Sequence, residues 1–235
     1  VDLVRSGELS EARIDQSVRR ILLNKFELGL FEQSLVDEDA IPALIRTPQY
    51  LAAGLEAQRK SIVLLNNKMA DTAALPVAEG TKIFVDGLDA NEAKRYGTVV
   101  DSADQADVVV LYLPTIFNGN QAPGSDELMD QFLSTILPND NLAFSPAVLD
   151  KAKGYSESAR LITVVDLNRP AILTELNQLS DGLIGTFGVY DSVLFDVIFG
   201  QFSPQGKLPF EIPSSMTAVM AQQEDMPDDS EAPVF

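Results

Sequence analysis

Five short apolar runs, separated by helix-like stretches, restrict this chain more than any other feature. Residues 61–65 read Ser-Ile-Val-Leu-Leu, and similar runs occupy 82–85, 107–113, 161–167 and 183–187. Short runs of this kind, rich in β-branched residues and nearly all apolar, predict strands covered on both faces. Helix-like stretches at 89–96, 146–153, 172–179 and 192–199 lie between several of them. Buried strands alternating with helices predict an α/β domain with a mostly parallel sheet sandwiched by helices. Ligands of such sheets sit beyond the carboxyl ends of the strands. The loops after Leu113, Leu167 and Phe187 are therefore the places to look.

Upstream of the first run the period changes. Residues 10–28 predict one amphipathic helix, with Ser10 as cap, Glu11 and Asp15 at its positive end and Arg19, Arg20 and Lys25 toward its negative end. Ile14, Val18, Ile21, Leu22 and Phe26 recur at helical spacing and predict a buried stripe, and Gly29 is placed to end the helix. Residues 31–46 contain Pro42 and the acids Asp37, Glu38 and Asp39 without a clear period, and read as a linker. Thr47 followed by Pro48 opens a second helix that runs to about Lys60. The acidic tail from Gln222 onward reads as a surface strap or a frayed end. The chain opens without Met and stops at Ala232-Pro233-Val234-Phe235, which reads as part of something longer.

Absences narrow the chemistry. Among the 235 residues there is no His and no Cys. Triads that need His, His-ligated zinc, thiol catalysis and disulfides are thereby excluded. Acid–base work is left to carboxylates, or to Lys and Tyr with shifted pKa values. The 35 acidic and 17 basic residues give a formal charge of −18, which repels phosphate backbones and anionic lipid, so neither nucleic acid nor a membrane surface is expected as a partner. No stretch approaches the roughly 20 apolar residues of a membrane helix. A neutral glycoside or oligosaccharide suits this surface. With no Trp, any ring that stacks on a sugar must be Phe or Tyr. No cofactor or metal is expected, and the lack of Cys is compatible with cytoplasm, periplasm or secretion alike.

Three stretches together resemble family 3 glycoside hydrolases, the group of β-glucosidases and related exo-acting enzymes. The first runs from Ser6-Gly7-Glu8-Leu9-Ser10 through Val18-Arg19-Arg20-Ile21-Leu22 to Lys25-Phe26-Glu27-Leu28-Gly29-Leu30-Phe31. It is similar to the final helix of that family's N-terminal (β/α)8 domain. The second, Arg59-Lys60-Ser61-Ile62-Val63-Leu64-Leu65-Asn66-Asn67 with Leu75-Pro76, is similar to the opening of its second domain. The third, Gly206-Lys207-Leu208-Pro209-Phe210 leading to Pro213, is similar to a signature near the end of the sheet, and Asn168-Arg169-Pro170 also fits.

The resemblance implies a domain plan: the end of a barrel over residues 1–30, a linker and lead-in helix over 31–57, and the family's C-terminal α/β sandwich over 58–235. It also implies a retaining exo-β-glycosidase of β-glucosidase, β-xylosidase or β-N-acetylhexosaminidase type. The Asp nucleophile of that family stands in an S-D-(W/F)-like motif on the barrel, and no such motif occurs here. The barrel domain is thus the implied partner, and the isolated chain is expected to be inactive, because retention needs two carboxyls about 5–5.5 Å apart.

The family's general acid, where the second domain supplies it, lies in the segment after the strand ending near Leu113. The carboxylates there are Asp126, Glu127, Asp130 and Asp140, of which Glu127 is the first candidate and Asp126 the second. The downstream landmark D-R-x-x-L-x-L-P is matched only loosely by Asn139 to Pro146 and lacks its Arg. Ser125-Asp126-Glu127 also reads as a plain helix cap, and a helix N-terminus lowers a carboxyl pKa, the wrong direction for an acid. A domain kept for structure or carbohydrate binding, without chemistry, is the alternative. Phe117 and Tyr190 are the candidates for a sugar-binding entrance. Asp166 reads as half of an ion pair with Arg169, and Asp191 as a helix cap. A phosphate-binding domain ranks last, since Gly182, Gly185 and Gly188 lack the spacing of a phosphate loop.

Overall fold

The computed structural model describes residues 1–69, 72–116, 141–223, 226 and 233–235. These fall into two compact units, Val1–Leu51 and Ala52–Phe235. In the first unit the helix Glu11–Glu27 forms as its pattern predicts, with the Ser10 hydroxyl accepting the Arg13 N–H and Gly29 at φ 67° just beyond its end. The segment read as a plain linker contains a 3-10 turn, Glu38–Ala40, and a helical turn, Ile41–Leu44, with Pro42 in its first turn, where a missing N–H costs nothing.

The predicted burial of the first helix does not occur. Ile14, Val18, Ile21, Leu22 and Phe26 are between 39% and 59% exposed, and no residue from Val1 to Leu51 is buried. Periodicity places these side chains on one face, but burial needs a second surface against that face. Phe26 and Phe31 do meet, with ring centroids 4.5 Å apart.

The second unit holds the sheet. Its strands are β1 (Val63–Asn67), β2 (Lys82–Asp86), β3 (Thr98–Val99), β4 (Val108–Leu113), β5 (Arg160–Asp166) and β6 (Gly182–Thr186). They lie in the order β1-β6-β5-β4-β2-β3. All neighbours are parallel except β1, which runs antiparallel to β6. Every apolar run became a strand. The first of them starts later than its pattern suggests, because Ser61 is the last residue of the helix Pro48–Ser61. As an edge strand, β1 is also less covered than an all-apolar run implies, and Leu64 is 36% exposed. The two-residue β3 has no apolar run to announce it.

Alternate side chains of the sheet enter two cores. Val108, Val110, Ile162, Val164 and Ile184 pack with Phe195 and its neighbours from the helix Asp191–Ile198. Val109, Leu111, Leu161, Val165 and Leu183 pack with Leu176 from the helix Thr174–Leu179 and Ala152 from the helix Pro146–Ser158. The sheet is therefore sandwiched between helical layers, as expected. Gly206 does more than punctuate a turn. A Cβ there would stand 2.7 Å from the Ile62 carbonyl oxygen, and its N–H donates to that same oxygen at 2.9 Å. The helix Met216–Ala221, capped by Ser215, was not apparent in the sequence. The tail ends docked: Val234 N–H donates to Ile212 and the Ile212 N–H to Phe235. No helix of the described residues is long and apolar enough to cross a membrane.

Candidate functional site

The chain passes from β2 to β3 on one side of β2, then to β4 on its other side. Strand order therefore reverses between β2 and β4, and a doubly wound sheet opens a crevice at the carboxyl ends of such a pair. Asp86 ends β2 there, and Tyr112 and Leu113 end β4. Gly87, at φ 84°, lies so close to β4 that a Cβ would come within 2.9 Å of the Tyr112 carbonyl oxygen. The Asp86 carboxylate accepts from Lys151 Nζ and from the Tyr155 hydroxyl, both at 2.9 Å. It ties β2 to the helix Pro146–Ser158.

The end of β5 continues this polar edge. Asp166 accepts from the Asn168 N–H and side-chain amide, both at 3.1 Å, and from the Tyr112 hydroxyl at 3.4 Å. Its expected partner, Arg169, instead donates to the Ile116 carbonyl at 3.4 Å. A short Asx-type turn within Asp166-Leu167-Asn168 thus takes up the carboxylate. The Tyr112 hydroxyl is pushed up to about 12, first by burial and then by the negative charges of Asp166 and Asp191. It stays protonated and acts as a donor. Burial likewise pushes Tyr155 up to about 12, with Asp86 adding to it.

Beyond β6, Gly188 at φ 76° turns the chain toward Tyr190, which is 65% exposed. Tyr190 is the N-cap residue of the helix Asp191–Ile198, and its N–H donates to Gln58 Oε1 at 2.9 Å. Asp191 is not the cap that its position suggested. It is the first helical residue, and its carboxylate accepts the Asp89 N–H at 2.7 Å. Deeper in the same helix Asp196 binds Arg59 Nη2 at 2.7 Å and Nε at 2.8 Å, and its other oxygen accepts the Tyr96 hydroxyl at 2.7 Å. Tyr96 is pushed up to about 12 by burial and by this bond.

Of the predicted site residues, Tyr190 stands at this edge. Glu127, Asp126 and Phe117 lie outside the described residues. The residues that flank their segment are described: Thr115 donates to the Asp166 carbonyl, and Ala143 bridges Ile172 just past β5. Sequence reasoning missed Asp86, Tyr112 and Gln58. An acid directly after the run 82–85 was a usable signal for Asp86, and a hydroxyl-bearing ring one residue before the end of the run 107–113 for Tyr112. Nothing local marked Gln58, whose partner is 132 positions away. Among the described residues this edge offers carboxylates, hydroxyls and the exposed Tyr190, groups able to recognise a neutral polyol. Among the described residues no cluster of three or more acidic side chains could hold a metal ion.

β-Glucosidase C of Emericella nidulans is 36% identical over 239 residues that take in the whole chain. The periplasmic β-glucosidase/β-xylosidase of Dickeya chrysanthemi is 35% identical over 238 residues, again the whole chain. By sequence, the chain belongs to glycoside hydrolase family 3. This family 3 chain spans only 37% and 35% of the length of those two relatives, the extent of a C-terminal portion. No family model matches it. In fold it is similar to the β-glucosidase of Listeria innocua, solved with gluconolactone, at a TM-score of 0.69 and 21% identity. That match covers 99% of this chain and 39% of that one. The exo-1,3/1,4-β-glucanase of a Pseudoalteromonas species is similar at a TM-score of 0.67 and 20% identity, covering 100% of this chain and 34% of that one.

Proposed function

We propose that this chain is the second domain of a retaining exo-β-glycosidase, and that it completes an active site whose Asp nucleophile belongs to a preceding barrel. The observation that carries the reading is the end-to-end identity of 35–36% with β-glucosidases about three times as long. Residues 1–30 then close the barrel, 31–57 connect it, and 58–235 form the sandwich domain. Glu127 is the proposed general acid/base, with Asp126 the second choice. Both belong to the segment between Ile116 and Asn141, which in sequence follows the carboxyl end of β4. In the first step the acid gives its proton to the leaving glycosidic oxygen while the barrel Asp attacks the anomeric carbon. In the second, the resulting carboxylate takes a proton from the water that hydrolyses the glycosyl-enzyme. Phe117 and Tyr190 border the entrance, Tyr190 by its exposed ring.

The missing Arg in the stretch 139–146 favours a second reading, a domain of the same family that folds or binds sugar without supplying the acid. One experiment separates them. The 235-residue chain and the longer parent are assayed against a panel of chromogenic β-glycosides, with Glu127→Gln introduced into the parent. Turnover by the parent alone, falling by about 100-fold or more in Glu127→Gln, supports the first reading. Undiminished turnover in that variant removes Glu127 from the mechanism. Turnover by the short chain alone overturns the divided site, since both carboxyls would then lie within these residues.

A further inference from the structure

We infer that Gln58 is a positioning residue for the sugar-binding edge, locking the backbone of Tyr190 so that its exposed ring meets the substrate in one orientation. The inference rests on the proposed placement of Tyr190 at the entrance of a glycosidase site.

Gln58 sits half-buried near the end of the helix Pro48–Ser61. Its Oε1 accepts the N–H of Tyr190 at 2.9 Å. That N–H belongs to the N-cap residue of the helix Asp191–Ile198, one of the donors that a helix cannot satisfy internally. The next residue, Arg59, reaches the second turn of that same helix and binds Asp196 through two nitrogens. Two consecutive residues of one helix therefore hold the start and the middle of another. The adjacent Asp191 carboxylate in turn accepts the Asp89 N–H at 2.7 Å. Two consecutive residues just past the turn at Gly188 are thus anchored, yet Tyr190 is 65% exposed.

A ring on the surface gains little stability from so much anchoring. It gains orientation. Recognition by an aromatic face requires placement to within about 0.5 Å and 10–20°, and a ring meets that only when its backbone is fixed by neighbours. This chain has no Trp. A Tyr held by a distant glutamine can serve in its place. Gln58 itself does not touch the sugar; it acts through Tyr190.

The test uses the full-length parent enzyme with p-nitrophenyl β-D-glucopyranoside and cellobiose as probes. Gln58→Ala, Gln58→Glu, Tyr190→Ala and the double variant Gln58→Ala/Tyr190→Ala are compared in KM, kcat and melting temperature. Gln58→Ala is expected to raise KM about fivefold, the equivalent of one net hydrogen bond, with kcat held. Gln58→Glu keeps an acceptor oxygen and restores KM. In the Tyr190→Ala background the Gln58 change raises KM no further, because its effect passes through the missing ring. A Gln58→Ala variant that melts earlier but keeps its KM, while Tyr190→Ala raises KM, reduces Gln58 to a helix cap and leaves the placement of Tyr190 standing. An unchanged KM in Tyr190→Ala removes Tyr190 from the site and takes the inference with it. Equal KM increases from the Gln58 change with and without the ring also overturn it.

Discussion

The units Val1–Leu51 and Ala52–Phe235 both carry amphipathic helices, but only the second buries any residue. Phe26 and Phe195 illustrate the contrast. Each is an aromatic side chain on a helical apolar stripe, one 59% exposed and the other fully buried against a sheet face and two further rings, Tyr96 and Phe199. One ion pair from each unit shows a similar contrast. Arg5 and Asp2 stand 3.8 Å apart with side chains 78% and 98% exposed, whereas Arg59 and Asp196 meet at 2.7 Å inside the second unit. The lesson is that pattern assigns a face, and a neighbouring surface turns the face into stability.

The sharpest way to break this contrast is Phe195→Ala, which should lower the unfolding free energy by about 3–5 kcal/mol through lost burial and the cavity left behind. Urea unfolding of the chain measures it, and a loss under about 1 kcal/mol would show that the core does not depend on this ring. Arg59→Ala comes next, at about 3 kcal/mol, because it strips the nearly buried Asp196 carboxylate of its cation and leaves it the Tyr96 hydroxyl. Arg5→Ala is the control, and an equal loss in both would erase the distinction between the two pairs.

A smaller effect is expected in alkali. Tyr96, Tyr112 and Tyr155 are each pushed up to about 12, burial leading in all three. In the unfolded chain a tyrosine titrates near 10. The folded state thus keeps protons that the unfolded state releases between those values. Stability from this source is whole below about pH 10 and is lost as pH rises toward about 12. Urea midpoints should decline across that window and decline less in Tyr112→Phe. A flat profile would indicate that these hydroxyls are not held.

The smallest effect belongs to the exposed stripe. Ile21→Ser in this chain should change stability by no more than about 0.5 kcal/mol, as at other exposed positions. The same substitution in the longer parent sharpens the comparison, for a stripe that a preceding barrel covers would there cost several times as much. Equal small losses in both would argue against that covering.

Much of the second unit was legible because its strands are nearly all apolar and short, a composition that leaves few alternatives to a covered parallel sheet. The runs at 82–85, 107–113 and 183–187 each became a strand within a residue or two. The two-residue β3 escaped notice, being too short to show a period, and so did the Ser215-capped helix. At the candidate site Tyr190 was legible as a ring after a strand. Its fixing by Gln58 was not, since no local pattern records a bond across 132 positions. The pairing of Asp166 with Arg169 was expected from their closeness in sequence, and Asn168 won because its backbone and side chain both reach the carboxylate within one turn.

What the sequence determined by itself is the class of the fold and the exclusion of His and Cys chemistry, because composition and short-range period are local properties; the family resemblance rested on whole motifs, not on period or composition. Only the tertiary structure decided that strand order reverses between β2 and β4, that Asp86, Tyr112, Asp166 and Tyr190 share one carboxyl edge, and that the stripe on Glu11–Glu27 lies exposed. Those outcomes depend on which surfaces meet, and a meeting of surfaces is set by the whole chain at once.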